Sequence, residues 1–385
     1  MSNKVITKND WVSNFTLVGV PKINDYTYKI DEKSEKSSWI YNNMNLGIDC
    51  GEKYGTVYAE MMGGYSENGQ NMIYAHGKND DGSDNFESQI QVDWDDRFDE
   101  SVLSEIGDLS FITVGLEKTD KGKTFYKKFL SAYDAIAYIK EHLEENMVVN
   151  VKGNLKYSMY QNKVQVRKNI NSIVLSKADD ASKYSARFTQ TILLDKSSAN
   201  LKNIDKGKGV IYVEARVLDY LKEYNGVEIK GQFPYNKQFE FEMDFSNETQ
   251  CKKIMEKVFK VKKNITQITF EGDLIEGGAV VTATWDDVPE EIKELVECGL
   301  YSEEEALARC SSNGNREQRM VLRKPMVRLV GEDKMPTLQR FEERYTEEDL
   351  TLDYLNEESA SERDEYDDDN TESSDADGMD WLNSL

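Results

Sequence analysis

The order of predicted secondary-structure elements repeats along this chain. In the clearest strand, residues 209–221, Ile211, Val213, Ala215 and Val217 alternate with polar residues, which is typical of a strand buried on one face. Elsewhere, apolar residues that recur every three or four positions predict helices. Three strands, a helix and two strands follow one another twice, so the chain is predicted to contain two similar units.

A short sequence match supports this duplication. Val149–Leu155 aligns with Ile268–Leu274, and the alignment places Gly153 opposite Gly272. The same offset aligns the two predicted helices. Two amphipathic strands can also resemble each other by chance, and the repeated element order is the independent reason to prefer a duplication.

A five-stranded unit with a helix between its third and fourth strands resembles the OB-fold, a small Greek-key barrel. The resemblance covers about residues 40–178 and 184–285. We therefore predict a mainly β (α+β) fold with two OB-fold-like five-stranded barrels in tandem, short C-terminal helices and a disordered acidic tail. The predicted segments are an N-terminal extension (1–39), OB-like domain 1 (40–180), OB-like domain 2 (181–285), a helical and basic C-terminal region (286–346) and the tail (347–385).

Charge is strongly segregated along the chain. The whole protein carries 48 Lys and Arg against 72 Asp and Glu, a net charge of −24. Residues 115–270 nevertheless hold 28 basic and 19 acidic side chains, whereas residues 347–385 hold one basic and 16 acidic side chains. Because the sign of a whole protein need not be the sign of its binding face, the acidic total does not exclude an anionic ligand.

Several classes of protein are disfavoured. No apolar stretch approaches the ~20 residues of a membrane span, and the N-terminal residues do not resemble a signal peptide. We expect a cytoplasmic protein without membrane partners, in the host cytoplasm if it is phage-encoded. Four cysteines without CxxC spacing and two histidines argue against a disulfide framework, a zinc site and His-dependent catalysis. We predict no cofactor.

The fourth and fifth strands of the first unit form the best candidate site. Their polar faces present Lys152, Lys156, Lys163 and Arg167 without an intervening acid, and Tyr160 lies in the turn between them. Cations track the phosphates of single-stranded nucleic acid while aromatic rings stack on its bases. The alternative is an ordinary solvated strand face. The predicted nucleic-acid-binding residues of this unit are Lys152, Lys156, Tyr157, Tyr160, Lys163, Arg167 and Lys168.

The second unit offers a different surface. Its matching strand face carries Glu271 and Asp273, which do not suit phosphates. Aromatic residues cluster instead around its first predicted hairpin, and their alternative role is core packing. The predicted contacts of this unit are Tyr212, Arg216, Tyr220, Tyr224, Phe233 and Tyr235.

Two further basic segments have two interpretations each. The lysines of residues 118–128 either extend the groove or keep a protruding loop soluble. The run of residues 316–330 either contacts nucleic acid or docks on acidic parts of the same chain.

The C-terminal tail joins an acidic run to the apolar tip MDWLNSL. It resembles the tail of bacterial and phage single-stranded DNA-binding proteins, whose tip recruits replication and repair proteins. The resemblance implies that Asp377 and Asp380 supply charge, and that the apolar anchors are Met379, Trp381, Leu382 and Leu385. Bacterial tips commonly end in Pro-Phe, whereas this chain ends in Asn-Ser-Leu. The alternative is a tail that only keeps the protein soluble.

Motifs of common enzymes are absent from the sequence. It contains no Walker A motif, no GxGxxG after a strand, no HExxH and no nucleophile elbow. Asp93, Asp95 and Asp96 are a weak candidate for Mg²⁺ and a nuclease-like activity. We therefore predict a non-catalytic, phage-type protein that coats and protects single-stranded DNA in replication, recombination and repair. The alternative from another class is an interaction protein with β-domains and a solubilising tail.

Overall fold

The computed structural model describes residues 6–160, 163–178, 180–205, 209–224, 227–277, 285, 288, 290–298, 302–303, 306, 318–330 and 333–351. Its strands are β1 (Ser13–Lys22), β2 (Tyr28–Lys33), β3 (Trp39–Asp49), β4 (Thr56–Ser66), β5 (Met72–Lys78), β6 (Asp84–Asp93), β7 (Ile112–Lys118), β8 (Thr124–Phe129), β9 (Val149–Tyr160), β10 (Lys163–Leu175), β11 (Ser185–Leu194), β12 (Ala199–Asp205), β13 (Val210–Tyr224), β14 (Val227–Glu242), β15 (Ile265–Glu276), β16 (Gln318–Pro325), β17 (Val327–Val330), β18 (Met335–Leu338) and β19 (Arg340–Tyr345). The helices are α1 (Glu100–Glu105), α2 (Ala132–His142), α3 (Glu248–Ile254), α4 (Glu290–Glu297) and α5 (Glu347–Leu350).

The first barrel closes through five strands in the order β1-β3-β4-β10-β9, with β9 pairing back to β1. All neighbours are antiparallel except β4 and β10, which pair in parallel. Helix α2 lies between the third and fourth strands of the barrel in chain order, and Ala135, Ile136 and Ile139 face its core. This is the strand order and helix position predicted for an OB-fold.

The second barrel repeats this arrangement. Its five strands follow the order β11-β13-β14-β16-β15, and β15 pairs back to β11. The one parallel pair again joins the third and fifth strands, β14 and β16. Helix α3, continued by a π-helical turn over Met255–Phe259, again precedes the fourth strand. The predicted mainly β fold with two five-stranded barrels in tandem is therefore confirmed.

Each barrel also uses a strand from outside the range that the sequence pattern assigned to it. Strand β1 lies in the segment described above as an N-terminal extension, and β16 lies in the C-terminal basic run. The strand expected over residues 279–285 falls almost entirely outside the described residues. Basic residues of β16 form ion pairs with the neighbouring strands. Arg319 Nε donates to Glu240 of β14 at 2.9 Å, and Arg323 Nε donates to Asp273 of β15 at 2.7 Å. The basic run therefore docks on acidic parts of the same chain.

The first strands of the two barrels pair with each other. Strands β1 and β11 are antiparallel, with Phe15 opposite Phe188. On the outer sides of this pair, Gly153 lies opposite Phe15 and Gly272 lies opposite Phe188. A Cβ atom at Gly153 would clash with the backbone carbonyl of Asn169 and lie 2.9 Å from the Phe15 ring, and one at Gly272 would clash with the Phe188 ring and lie 2.6 Å from the carbonyl oxygen of Val321. The two glycines thus occupy equivalent positions, where each leaves room for a phenylalanine ring.

An insertion separates β4 from α2 in the first barrel. It contains the β5–β6 hairpin, α1 and the β7–β8 hairpin, and it has a small core of Ala75, Val92, Ile106 and Phe111. Strand β7 pairs in parallel with β10, so the β7–β8 hairpin extends the sheet of the barrel. No helix in the described ranges is long and apolar enough to span a bilayer.

The equivalence of the two glycines leads to a stability prediction. Gly153→Ala and Gly272→Ala should each lower the free energy of unfolding by about 1–3 kcal/mol, because the added methyl group overpacks a close contact. Gly231→Ala is the matched control, since a Cβ atom there would lie 3.5 Å from its nearest neighbour, an ordinary contact. Urea unfolding of the three variants measures the difference. An equal loss in the control would contradict the packing argument.

Candidate nucleic-acid interface

The β9–β10 hairpin places the predicted cations on one exposed face. Lys156 lies opposite Arg167, and Tyr160 lies opposite Lys163 at the tip. Directly opposite residues in antiparallel strands have Cβ atoms about 5 Å apart. All four side chains are exposed, Tyr160 by 59%. Along β9, Lys152 and Tyr160 are separated by about 26 Å at the usual strand rise.

The insertion continues this face. In register, Lys152 of β9 lies opposite Ser172 of β10, Ser172 lies beside Thr113 of β7, and Thr113 lies opposite Lys128 of β8. Tyr126 of β8 is 58% exposed, and its ring covers the neighbouring Gly115. The β7–β8 hairpin thus places Lys128 on the same face of the sheet as Lys152. The name basic face is used below for Lys152, Lys156, Tyr160, Lys163 and Arg167 together with Tyr126 and Lys128.

Nearby carboxylates neutralise part of the basic face. Arg167 lies 3.8 Å from Glu60, and Lys128 lies 2.9 Å from Asp108. Within the described ranges, Lys152 and Lys163 have no ion-pair partner. These two lysines therefore keep an uncompensated charge that phosphates can approach.

The buried carboxylate of Asp219, which the sequence analysis did not single out, lies at the edge of the basic face beside Lys156. Asp219 of β13 is only 4% exposed and accepts hydrogen bonds from the backbone N–H of Tyr157 and of Tyr220, both at 2.9 Å. Lys8 and Lys156 each lie 3.5 Å from it. Burial lowers the pKa of Lys8, and Asp219 partly opposes this shift. The available sequence signal was an acid within the apolar run of β13.

The two barrels meet at an open pocket of about 390 Å³ beside Asp219. The first barrel contributes Lys156 and Arg167, and the second contributes Tyr220, which is 53% exposed. Two cations and an aromatic ring, predicted as parts of separate units, thus line one pocket.

Other predicted contact residues lie between the barrels. Tyr157, Phe233 and Tyr235 are buried, with the Phe233 and Tyr235 rings edge to face at 4.9 Å. Burial raises the pKa of Tyr235 to about 12 and raises that of Tyr157 further. Tyr224 is half-buried and stacks on Phe233. Tyr157, Phe233 and Tyr235 therefore pack in the core, and Tyr224 packs against it.

Lys168 is also buried, on the inner side of β10. It forms an ion pair with Glu276 of β15, and both side chains are almost completely enclosed. The second oxygen of Glu276 accepts a hydrogen bond from the backbone N–H of Tyr58 at 3.1 Å. This pair links the two barrels and is not available to a phosphate.

The outer face of β13 carries the remaining two predicted residues. Tyr212 is half-buried and lies opposite Glu240. Arg216 forms ion pairs with Asp195 and with Glu347, the first residue of α5. The acids on this face make it a poor phosphate surface. The predicted partner-binding residues lie outside the described residues: Asp377, Met379, Asp380, Trp381, Leu382 and Leu385.

The structure also groups a serine, a histidine and an aspartate in the insertion. His76 Nδ1 lies 2.8 Å from Ser110 Oγ, and His76 Nε2 lies 2.7 Å from Asp84 Oδ1. Ser110 Oγ also accepts the backbone N–H of His76 at 3.1 Å, and Asp84 accepts that of Leu109 at 2.8 Å. These bonds hold the β5–β6 hairpin against residues 107–110, which is a structural role. No group of three potential metal ligands occurs in the described part of the chain.

Comparisons with known proteins gave three results. The sequence profile of the YorF family matches residues 77–295. A search of curated proteins returned no match. Two solved structures of the single-stranded DNA binding protein from Thermus aquaticus are similar at a TM-score of 0.31. The wild-type protein is 8% identical, with 70% of this chain and 87% of that chain covered, and a deletion mutant is 10% identical, with 69% and 87% covered.

The Asp84 contacts predict a pH dependence. The backbone N–H of Leu109 is the main cause of a lowered pKa at Asp84. A carboxylate with a lowered pKa in the folded state stabilises that state above its unfolded pKa, and this stability is lost as the pH falls through the folded pKa. Hydrogen-exchange protection of the Leu109 amide should therefore decrease as the pH falls below the unfolded pKa of an aspartate, about 4, and through the lower folded pKa of Asp84.

Two substitutions isolate the carboxylate responsible. Asp84→Asn should remove most of this pH dependence. Asp81→Asn should retain it, because Asp81 also has a lowered pKa but accepts its hydrogen bonds from Ser83 alone. Identical pH profiles for the two variants would show that Asp84 is not the group that titrates.

Proposed function

The chain belongs to the YorF family, and we propose that it binds single-stranded DNA along the basic face without catalysing a reaction. The observation that carries this proposal is the placement of Lys152, Lys156, Lys163 and Arg167 on one exposed surface of an OB-fold barrel. OB-folds commonly bind oligonucleotides on their strands and connecting loops.

The aromatic residues at the margins of the basic face supply the second half of the interaction. Tyr160, Tyr126 and Tyr220 are all about half exposed or more, and each lies beside a cation of the face. Bases stack on such rings at ~1–3 kcal/mol per base, without sequence preference. The strand would run from the β7–β8 hairpin across Lys152 and Lys156 to the tip at Tyr160.

The contacts of Ser110, His76 and Asp84 in the insertion support a role without catalysis. Ser110 and Asp84 accept hydrogen bonds from backbone N–H groups, and these bonds hold the β5–β6 hairpin against residues 107–110. We propose that the protein coats and protects single strands during replication, recombination and repair. In this proposal it is a phage-type protein that acts in the host cytoplasm.

The acidic tail would have two roles in this proposal. Glu347, the first residue of the tail, lies in α5 and forms an ion pair with Arg216 of the second barrel. The acidic residues beyond α5 can compete with phosphates for the basic face. Strand binding would then release the tip, including Trp381 and Leu382, for replication and recombination proteins.

The direct test of strand binding uses Lys152 and Lys163, which have no ion-pair partner among the described residues. A Lys152→Gln/Lys163→Gln double variant should bind labelled oligo-dT more weakly and with a smaller salt dependence. Each lost phosphate contact lowers the slope of log K against log salt by about 0.7 on single strands, so the slope should fall by about 1.4. Fluorescence anisotropy at several salt concentrations gives both quantities.

A matched double variant controls for net charge. Lys140 in α2 and Lys196 in the turn between β11 and β12 are exposed and are not part of the basic face, so Lys140→Gln/Lys196→Gln removes the same charge. Its salt slope should remain that of the unsubstituted protein. No binding of oligo-dT by the unsubstituted protein, even at low salt, would refute the proposal and favour the interaction-protein alternative. Metal-dependent cleavage of the oligonucleotide would instead establish a nuclease.

Competition by the tail predicts a second effect. A truncation after Thr351 retains α5, whose Leu350 is buried, and removes the acidic residues that follow. It should bind oligo-dT more tightly than the full chain, most clearly at low salt where electrostatic competition is strongest. Anisotropy titrations of both proteins measure the difference. Equal affinities would remove the competing role of the tail and leave strand binding itself unaffected.

A further inference from the structure

A two-stranded ribbon projects from the second barrel with apolar side chains exposed. Strands β17 and β18 pair with each other and with no other strand in the described part of the chain. Leu329 is 64% exposed, and Val327 and Met335 are exposed to a similar degree. Val327 and Leu329 lie on one face of this hairpin, and Val330 and Met335 lie opposite each other on the other face. An isolated hairpin is only marginally stable in water, and grouped exposed apolar residues commonly mark an interaction site. Val327, Leu329, Val330 and Met335 are called the apolar ribbon.

The surroundings of the apolar ribbon are basic. Arg340, which follows the ribbon, donates hydrogen bonds to the carbonyl oxygens of Lys257 and Lys260 at 3.1 and 2.6 Å. These bonds tie the base of the ribbon to residues 251–263, which contain six lysines and one glutamate. The ribbon therefore stands beside a positively charged surface.

A second exposed apolar cluster lies in the insertion of the first barrel. The Phe86 ring packs on His76 with ring centroids 4.6 Å apart, and Leu109 is joined to His76 through Asp84. Tyr74 lies two positions before His76 and points to the same side of β5, and it is 71% exposed. Tyr74, Phe86 and Leu109 are called the aromatic patch.

The insertion that carries the aromatic patch is acidic. Residues 67–110 hold twelve acidic and two basic side chains. Among these, Glu87 is exposed beside Phe86. The two clusters thus combine exposed apolar side chains with charges of opposite sign. Both are exposed within the same chain, so neither covers the other in a single copy.

We propose that the apolar ribbon of one copy docks on the aromatic patch of a second copy. Apolar contact would supply affinity, and the opposite charges around the two surfaces would favour this pairing over ribbon-to-ribbon or patch-to-patch contacts. Because the two surfaces are different parts of the chain, one ribbon-to-patch contact leaves one ribbon and one patch free, so the contact can repeat from copy to copy. Along a DNA strand such a row would give cooperative coating, a consequence that rests on the proposed function.

Two substitutions on opposite sides of the contact test the proposal. Leu329→Gln removes an anchor of the ribbon, and Tyr74→Gln removes one of the patch. Sedimentation velocity without DNA should show concentration-dependent association of the unsubstituted protein. Each variant should associate about tenfold more weakly. Tyr26→Gln is the matched control, since Tyr26 is exposed but lies outside both surfaces.

Mixing the two variants gives the decisive result. The Leu329 variant keeps an intact patch and the Tyr74 variant keeps an intact ribbon, so an equimolar mixture should form dimers and stop there. A mixture that remains monomeric would overturn the proposal. So would a Tyr74→Gln variant that associates normally while Leu329→Gln does not, because that pattern indicates ribbon-to-ribbon contact. Monomeric unsubstituted protein, alone and on long poly-dT, would also overturn it.

Binding to a short oligo-dT separates this proposal from the proposed function. An oligonucleotide long enough for one copy should bind both variants with unchanged affinity. Loss of self-association with normal short-oligonucleotide binding would support both ideas. Self-association without any strand binding would support the proposed docking surfaces and refute only the proposed function.

Discussion

The antiparallel pairing of β1 with β11 holds the two barrels in one structure. Along one edge, β1 pairs partly with β3 of its own barrel and partly with β11 of the other barrel. In the same way, one edge of β11 pairs partly with β13 and partly with β1. The layer β9-β1-β11-β15 is therefore continuous, with Phe15 and Phe188 at its centre. Separated barrels would each expose an unpaired strand edge, which is a site for unwanted pairing. Glycine is required on both sides of this layer because a Cβ atom would clash with the Asn169 carbonyl at Gly153 and with the Phe188 ring at Gly272.

This junction explains how the candidate site is built. It brings the long hairpins β9–β10 and β13–β14 together, and their inner sides form a shared core around Tyr157 and Tyr235. The buried Lys168–Glu276 ion pair and the hydrogen bond from Tyr157 to Asp219 stabilise the same contact between the two barrels. Since the inner sides are used for packing, only the outer side of β9–β10 remains to bind a ligand. The pocket beside Tyr220 lies where the two hairpins meet, lined by Lys156 and Arg167 of one and Asp219 and Tyr220 of the other.

Charge is arranged so that an acidic protein presents a basic surface. The basic run of β16 is neutralised by Glu240 and Asp273, whereas Lys152 and Lys163 are left without a partner within the described ranges. The acidic insertion and the basic segment near the apolar ribbon lie on different barrels. Two surfaces of opposite charge can orient a ligand and a second copy of the chain at the same time, because each surface attracts groups of the opposite sign.

The sequence alone determined the fold class, the duplication and the location of the cations. These features depend on local patterns: alternation of period two, the order of elements, a repeated glycine and the charge of each segment. The tertiary structure decided which strands close each barrel, since β1 and β16 pair with residues far away in sequence. It also decided that Tyr157, Phe233, Tyr235 and Lys168 pack inside while Lys128 joins the basic face. Alternation shows which side chains share a face of a strand, but only the packing of other elements decides which face is covered.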